Sequence, residues 1–193
     1  MNSASKYMKA GLILLLWIGV VFPGSYDEAE SADSPPEFYI SKNICPFECC
    51  SYGRWRAVGP VDLKDSPNGK LVGSVKKGER VDAITGEVHA KPGILKVVVP
   101  FKQFKKGDTI FILHYIGEGF FKYWHQGKVG EEEFIFLLNL AEDDPLCKIP
   151  REDCWGQLQK AEESVWWVQM KNANGTVGWT DHPELFGDKD SCG

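Results

Sequence analysis

The sequence predicts a mainly β fold: a small barrel enlarged by an inserted β-rich segment. The stretch VWWVQMKNANGTVGWT at residues 165–180 alternates apolar and polar residues on both sides of Asn174-Gly175, which is the strongest short-range signal of a β-hairpin. The 193 residues also include seven Trp and 20 Gly. Small barrels use aromatic side chains to fill a narrow interior and Gly to turn corners, so this composition favours a barrel.

The predicted hairpin has one apolar face. If Asn174 and Gly175 are the two loop residues, Met170 faces Trp179 across the hairpin. The core face is then expected to hold Trp166, Val168, Met170, Val177 and Trp179. Trp167 lies on the other face, so we expect this large aromatic side chain to point away from the core.

Residues 1–24 have the layout of an export signal peptide, because Lys6 and Lys9 precede an uninterrupted apolar run at residues 10–22. That run is shorter than the ~20 residues that a membrane-spanning helix needs, which favours a cleaved signal over an anchor. Residues 25–37 are acidic and end in Pro35-Pro36, as is typical of a disordered linker. We therefore expect a folded domain at residues 38–193 in the periplasm or outside the cell, with membrane contact only through an uncleaved signal segment.

The chain has an even number of cysteines, which in an exported protein indicates disulfide bonds. The six candidates are Cys45, Cys49, Cys50, Cys147, Cys154 and Cys192. The preferred pairing closes Cys147 with Cys154 locally and ties one cysteine of the 45/49/50 cluster to Cys192. A zinc site is the less favoured alternative because the cluster lacks paired half-sites, and we expect neither a metal nor a cofactor.

Short strands and tight turns follow one another after residue 60. Residues 61–63 and 71–75 are typical of strands, residues 65–69 of a polar turn, and Lys76-Lys77-Gly78-Glu79 of a tight turn that leads into a strand at residues 80–85. With LKDSPNGKLVGSVKKGERVDAI at residues 63–84 and WWVQMKNANGTVGWT at residues 166–180, the chain resembles the bacterial SH3-like (SH3b) domain family. Both halves occur in the family's order.

The resemblance implies an SH3-like barrel with a large insertion at about residues 86–164. Members of that family occur as cell-wall or peptide-binding modules attached to enzymes, and as stand-alone exported proteins. Within the insertion, FKKGDTI at residues 104–110 repeats the pattern of VKKGERV at residues 75–81. We interpret the two copies as similar hairpin entries in one enlarged barrel, with two intertwined small barrels as the less favoured alternative.

The sequence offers no convincing catalytic constellation. A net charge of −5 argues against a nucleic-acid binder, and the four scattered histidines lack metal-ligand spacing. The acids at residues 131–133 and 142–144 could form a carboxylate pair for sugar chemistry, but adjacent acids in loops are usually solvated. We expect a protein that is not an enzyme.

The aromatic residues are the candidate ligand-binding residues, because a groove of exposed aromatics suits extended peptides or glycans. The candidates are Trp167, Trp124, Tyr123, Phe121 and Tyr115, with Glu118 in a loop at the mouth. Filling of a core is the alternative use of these aromatics. The expected function is a non-catalytic binding module of the cell envelope that recognises peptidoglycan or an extended peptide. The alternatives are a carboxylate-dependent cell-wall hydrolase or its accessory subunit, and a structural protein that binds another envelope protein.

Overall fold

The computed structural model describes residues 34–138 and 155–192. The predicted signal peptide, most of the predicted linker and the predicted Cys147–Cys154 pair lie outside these ranges. The described chain is mainly β, as the sequence predicts. Its strands are β1 (Tyr39–Lys42), β2 (Gly53–Ala57), β3 (Val61–Lys64), β4 (Leu71–Val75), β5 (Arg80–Lys91), β6 (Gly93–Val97), β7 (Thr109–Gly117), β8 (Phe120–His125), β9 (Lys128–Glu133), β10 (Gly156–Lys160), β11 (Glu163–Lys171), β12 (Val177–Thr180) and β13 (Phe186–Gly187). One helical turn, α1 (Ile135–Leu138), follows β9, and a 3-10 turn (Pro183–Leu185) precedes β13.

The first sheet has the order β13-β2-β5-β11-β12-β3-β4 and curls into a half-barrel, with β1 paired to the second half of β5. Segments far apart in the sequence meet here, because Trp179 of the final hairpin pairs with Lys64 of β3. The concave core consists of Trp55, Ala57, Val61, Leu63, Val75, Val81, Ala83, Val168, Met170 and Phe186.

The second sheet has the order β10-β6-β7-β8-β9 and is antiparallel throughout. It has a separate, aromatic-rich core made of Leu95, Val97, Phe104, Ile110, Ile112, Phe121, Phe134 and Trp155. The structure therefore has two sheets with two cores, whereas the preferred interpretation of the sequence was a single enlarged barrel. The physical reason is that the insertion carries enough apolar side chains to bury a core of its own.

The two sheets follow the same path. The order β13-β2-β5-β11-β12 in the first sheet matches β10-β6-β7-β8-β9 in the second, strand for strand. All five strands of the second sheet lie in the chain between β5 and β11, which are neighbours in the first sheet. One sheet is therefore inserted into the sequence of the other.

The repeated KKG pattern marks the same turn in both sheets. In each turn the Gly N–H donates to the end of the preceding paired strand, and the acidic side chain accepts the N–H of the first Lys. These bonds are Gly78 to Ala57 (2.8 Å) and Lys76 to Glu79 (2.9 Å) in the first sheet, and Gly107 to Val97 (2.9 Å) and Lys105 to Asp108 (2.9 Å) in the second. Both glycines have positive φ, 84° and 96°, which glycine adopts at little cost.

The final hairpin has a longer loop than the sequence predicts. Gly175 N–H donates to Asn172 O at 3.0 Å, and Asn172 N–H donates to Thr176 O at 3.0 Å. With Gly175 at φ 85°, this is a three-residue loop with a glycine bulge. The Asn172 side chain stabilises it, since its Oδ1 accepts the N–H groups of Asn174 and Thr176 at 3.1 and 2.9 Å.

The longer loop moves the register of the hairpin by one residue, so that Met170 pairs with Gly178 and not with Trp179. Val168 and Met170 are buried in the core as predicted. Val177 is 46% exposed, and its predicted place in the core, with that of Trp179, was wrong. A one-residue slip transfers every side chain of a strand to the other face.

A buried histidine joins the two sheets. His114 of β7 accepts a hydrogen bond from Ser41 Oγ of β1 at its Nε2, 2.6 Å away, and its Nδ1–H donates to Tyr115 O at 2.9 Å. Burial lowers the pKa of His114, because removal from water disfavours the charged imidazolium. The neutral ring therefore connects β1 with β7.

The described chain contains two disulfides, one that joins its two ends and one that closes a local loop. Cys49 is bonded to Cys192, which confirms the predicted tie from the cluster, and Cys45 is bonded to Cys50, a pair that the sequence did not single out. Both pairs have Cα atoms 5.5 Å apart. Disulfides indicate an oxidising compartment. Within the described ranges, no helix is long and apolar enough to span a membrane.

Candidate functional site

A cleft of 570 Å³ opens on the face of the first sheet opposite its core, and we call it the outer-face cleft. Trp166, Val168 and Met170 of β11 pack against the core, so the intervening Trp167 lies on the other face. The cleft is lined by Phe38, Asn68, His89, Lys91, Glu162, Glu163, Ser164, Val165, Trp167 and Asp181.

Two adjacent strands supply most of this lining: His89 and Lys91 belong to β5, and Glu163, Ser164, Val165 and Trp167 belong to β11. Ile40 of β1, His89 of β5 and Val165 of β11 are paired across the sheet. Two residues further along, Glu87 of β5 pairs with Trp167 of β11. Because alternate residues of a strand share a face, the imidazole and the indole are brought to the same side of the sheet.

Trp167 forms a buried wall of the cleft and is only 2% exposed. Trp167 lies on the face opposite the core, as predicted, but its indole ring is not exposed for a ligand to stack on. The ammonium group of Lys64 lies 4.7 Å from the centroid of the indole, and the His89 ring lies 6.4 Å away. The exposed aromatic group of the cleft is Phe38, which is 47% exposed and meets His89 edge to face at 5.7 Å.

Nearly all the charged groups of the cleft have partners. The ion pairs are Lys91 with Glu163 (3.2 Å) and Lys64 with Asp181 (3.6 Å), and Glu87 forms a hydrogen bond with the His89 ring at 2.9 Å. Glu162 differs: within residues 34–138 and 155–192, no cationic side chain forms an ion pair with its carboxylate. Burial raises the pKa of Glu162, since loss of water disfavours the charged form.

The other predicted aromatic residues lie in the second sheet. Phe121 belongs to its core, with Tyr115 and Tyr123 packed against it. Trp124 packs against Phe111 at 5.5 Å and lines a smaller cleft of 330 Å³. Trp167 and Trp124 therefore line different clefts, and Phe121, Tyr115 and Tyr123 fill or flank the core of the second sheet.

Glu118 occupies the tight turn between β7 and β8. Its φ is 51°, and Gly117 and Gly119 on either side have φ values of 118° and 80°. This turn belongs to the second sheet, whereas Trp167 lies on β11 of the first sheet.

Sequence reasoning missed His89, Lys91 and Glu162 as residues of the site. A signal existed for the first two, because Glu87, His89 and Lys91 alternate with the buried residues Val88 and Ala90. That period-two pattern extends β5 beyond the predicted end at residue 85. Glu162 carries no such signal, since it lies between β10 and β11, where the chain returns from one sheet to the other.

The cleft combines a buried indole, an exposed phenyl ring, paired charges and one carboxylate, that of Glu162, that forms no ion pair with the part of the chain that the structure describes. Comparisons with family models, with curated proteins and with solved structures found no match for this chain.

Proposed function

We propose that this protein is a non-catalytic, SH3-like binding module of the cell envelope, and that the outer-face cleft holds an extended peptide or a peptidoglycan strand. The observation that carries the proposal is the cleft itself. Its 570 Å³ falls within the range of about 300–1,000 Å³ that is usual for ligand sites.

The lining of the cleft suits a chain-like ligand. Phe38 and Val165 offer exposed apolar contacts, and the paired charges of Lys91 and Glu163 offer hydrogen-bond donors and acceptors. Binding sites commonly combine an apolar lining with a few polar groups that fix the orientation of the ligand. An open cleft across several strands can accept an extended segment without a deep entrance.

The repeated path of the two sheets supports the SH3-like assignment. The KKG turn that carries part of the family resemblance occupies the same structural position twice, at Gly78 and Gly107. We propose that the chain contains two SH3-like units, the second inserted between β5 and β11 of the first. The two disulfides support export, because such bonds persist in oxidising compartments.

Replacing the two exposed apolar residues of the cleft should weaken binding. For Phe38→Ser with Val165→Ser we expect a loss of about tenfold in affinity for purified insoluble peptidoglycan, because even partial burial of two apolar side chains is worth about 1.4 kcal/mol or more. Co-sedimentation at graded peptidoglycan concentrations measures this loss. The fold should survive, since these side chains are 47% and 45% exposed.

Val177→Ser is the matched control, because Val177 is equally exposed, at 46%, but does not line the cleft. It should sediment like the parent protein. The proposal fails if the parent protein does not bind, or if the control loses as much affinity as the double variant.

A further inference from the structure

We propose that the outer-face cleft recognises a primary ammonium group on its ligand, and that Glu162 is the residue that pairs with it. This inference rests on the proposed binding function and names the chemistry of the ligand. The ammonium group could come from a peptide, as an N-terminus or an amino side chain, or from an amino sugar with a free amine.

The distribution of charge in the cleft indicates a missing cation. Glu163 is matched by Lys91 at 3.2 Å, and Asp181 by Lys64 at 3.6 Å. Glu162 has no such partner among the described residues. A positively charged ligand would complete the pattern, whereas an anionic ligand would meet an unmatched negative charge.

The position of Glu162 is fixed by its backbone. A Cβ atom added at Gly93 would lie 2.6 Å from Glu162 N and 2.8 Å from Lys160 O. The start of β6 is therefore in close backbone contact with the end of β10 and the residues that follow it. This contact holds the backbone of Glu162. The backbone N–H of Glu162 also donates to its own carboxylate, which helps to set the place of the carboxylate in the cleft before a ligand binds and lowers the entropic cost of binding.

Partial burial makes a cationic partner favourable. Glu162 is shielded from water enough to raise the pKa of its carboxyl group, and a shielded charge without a partner is costly. An ammonium group that enters the cleft replaces the lost water with an ion pair. Phe38, the exposed aromatic group of the same cleft, adds a ring face of the kind that attracts organic cations.

The test compares native peptidoglycan with peptidoglycan whose free amines have been acetylated. For the parent protein we expect acetylation to weaken co-sedimentation about tenfold, the usual scale for loss of one hydrogen-bonded charge partner. Glu162→Gln should bind native peptidoglycan as weakly as the parent protein binds the acetylated form, and acetylation should have no further effect on that variant. A soluble lysine-containing peptide and a glucosamine oligosaccharide, titrated separately, identify the source of the amine.

The controls separate recognition from misfolding. Glu131→Gln removes a carboxylate that is paired with Lys122 in the second sheet and does not line the outer-face cleft. This variant should bind native peptidoglycan like the parent protein and should lose the same affinity when the amines are acetylated. Because the pKa of Glu162 is raised in the folded protein, its ionisation lowers stability as the pH rises from the unfolded pKa through the folded pKa. Glu162→Gln removes that loss and should be at least as stable as the parent protein at neutral pH.

Each failure has a different meaning. If the parent protein binds native and acetylated peptidoglycan equally, the ammonium inference is wrong and the binding function stands. If acetylation weakens Glu162→Gln as much as it weakens the parent protein, the amine is recognised elsewhere and the role of Glu162 is wrong. If the parent protein binds neither form, the proposed function itself fails.

Discussion

Gly93→Ala is expected to destabilise the protein severely, by about 3 kcal/mol or more, since overpacking against atoms that cannot move exceeds the usual 1–3 kcal/mol cost. The added methyl group would lie 2.6 Å from Glu162 N and 2.8 Å from Lys160 O. Both are backbone atoms, so no side-chain rotation relieves the clash. Relief requires the separation of the start of β6 from the end of β10 and the segment that follows it, and urea unfolding of the variant measures the loss of stability.

Gly187→Ala is the matched control. Gly187 also lies in a paired strand, and the atom nearest to an added Cβ would be Arg56 O at 4.0 Å. This change should alter stability by only about 0.5 kcal/mol. If the two variants unfold at the same urea concentration, the close backbone contact at Gly93 does not exist in solution.

Removal of the Cys49–Cys192 bond should be the second large effect. The bond closes a loop with a sequence separation of 143, whereas Cys45–Cys50 closes one of 5. In the chain-entropy model these loops correspond to about 5 and about 2 kcal/mol of stabilisation. We therefore expect the Cys49→Ser, Cys192→Ser double variant to lose more than twice as much stability as Cys45→Ser, Cys50→Ser.

Chemical denaturation without reductant compares the two double variants under the same conditions. Peptide mapping of the unreduced parent protein must show the same two pairings. Equal losses of stability, or a map that joins Cys50 to Cys192, would contradict the role given to the long-range disulfide.

Local patterns made much of the β structure predictable. The strands near Val61, Leu71 and Thr109 and the two KKG turns are encoded by neighbouring residues, because alternation and a Gly with positive φ act over a few positions. The register of the final hairpin was not predictable from Asn174-Gly175 alone. The side chain of Asn172 decides it by accepting two backbone N–H groups, a competing turn interaction that the Asn-Gly pattern conceals.

The candidate site was only partly predictable for a different reason. Trp167 lines the outer-face cleft, whereas Trp124 and Phe121 lie in the second sheet. Aromatic content alone does not separate the filling of a core from the binding of a ligand. Glu162 lies between β10 and β11 and its backbone is in close contact with Gly93, which is a tertiary contact without a local signature.

The most direct test of the account is to map ligand contacts by NMR, following amide and indole shifts as soluble peptidoglycan fragments are added to the full chain. We expect the largest changes at His89, Ser164, Val165 and the indole of Trp167, all of which line the outer-face cleft. Changes centred on Trp124 and His125 of the smaller cleft, or no changes at saturating fragment concentrations, would contradict it.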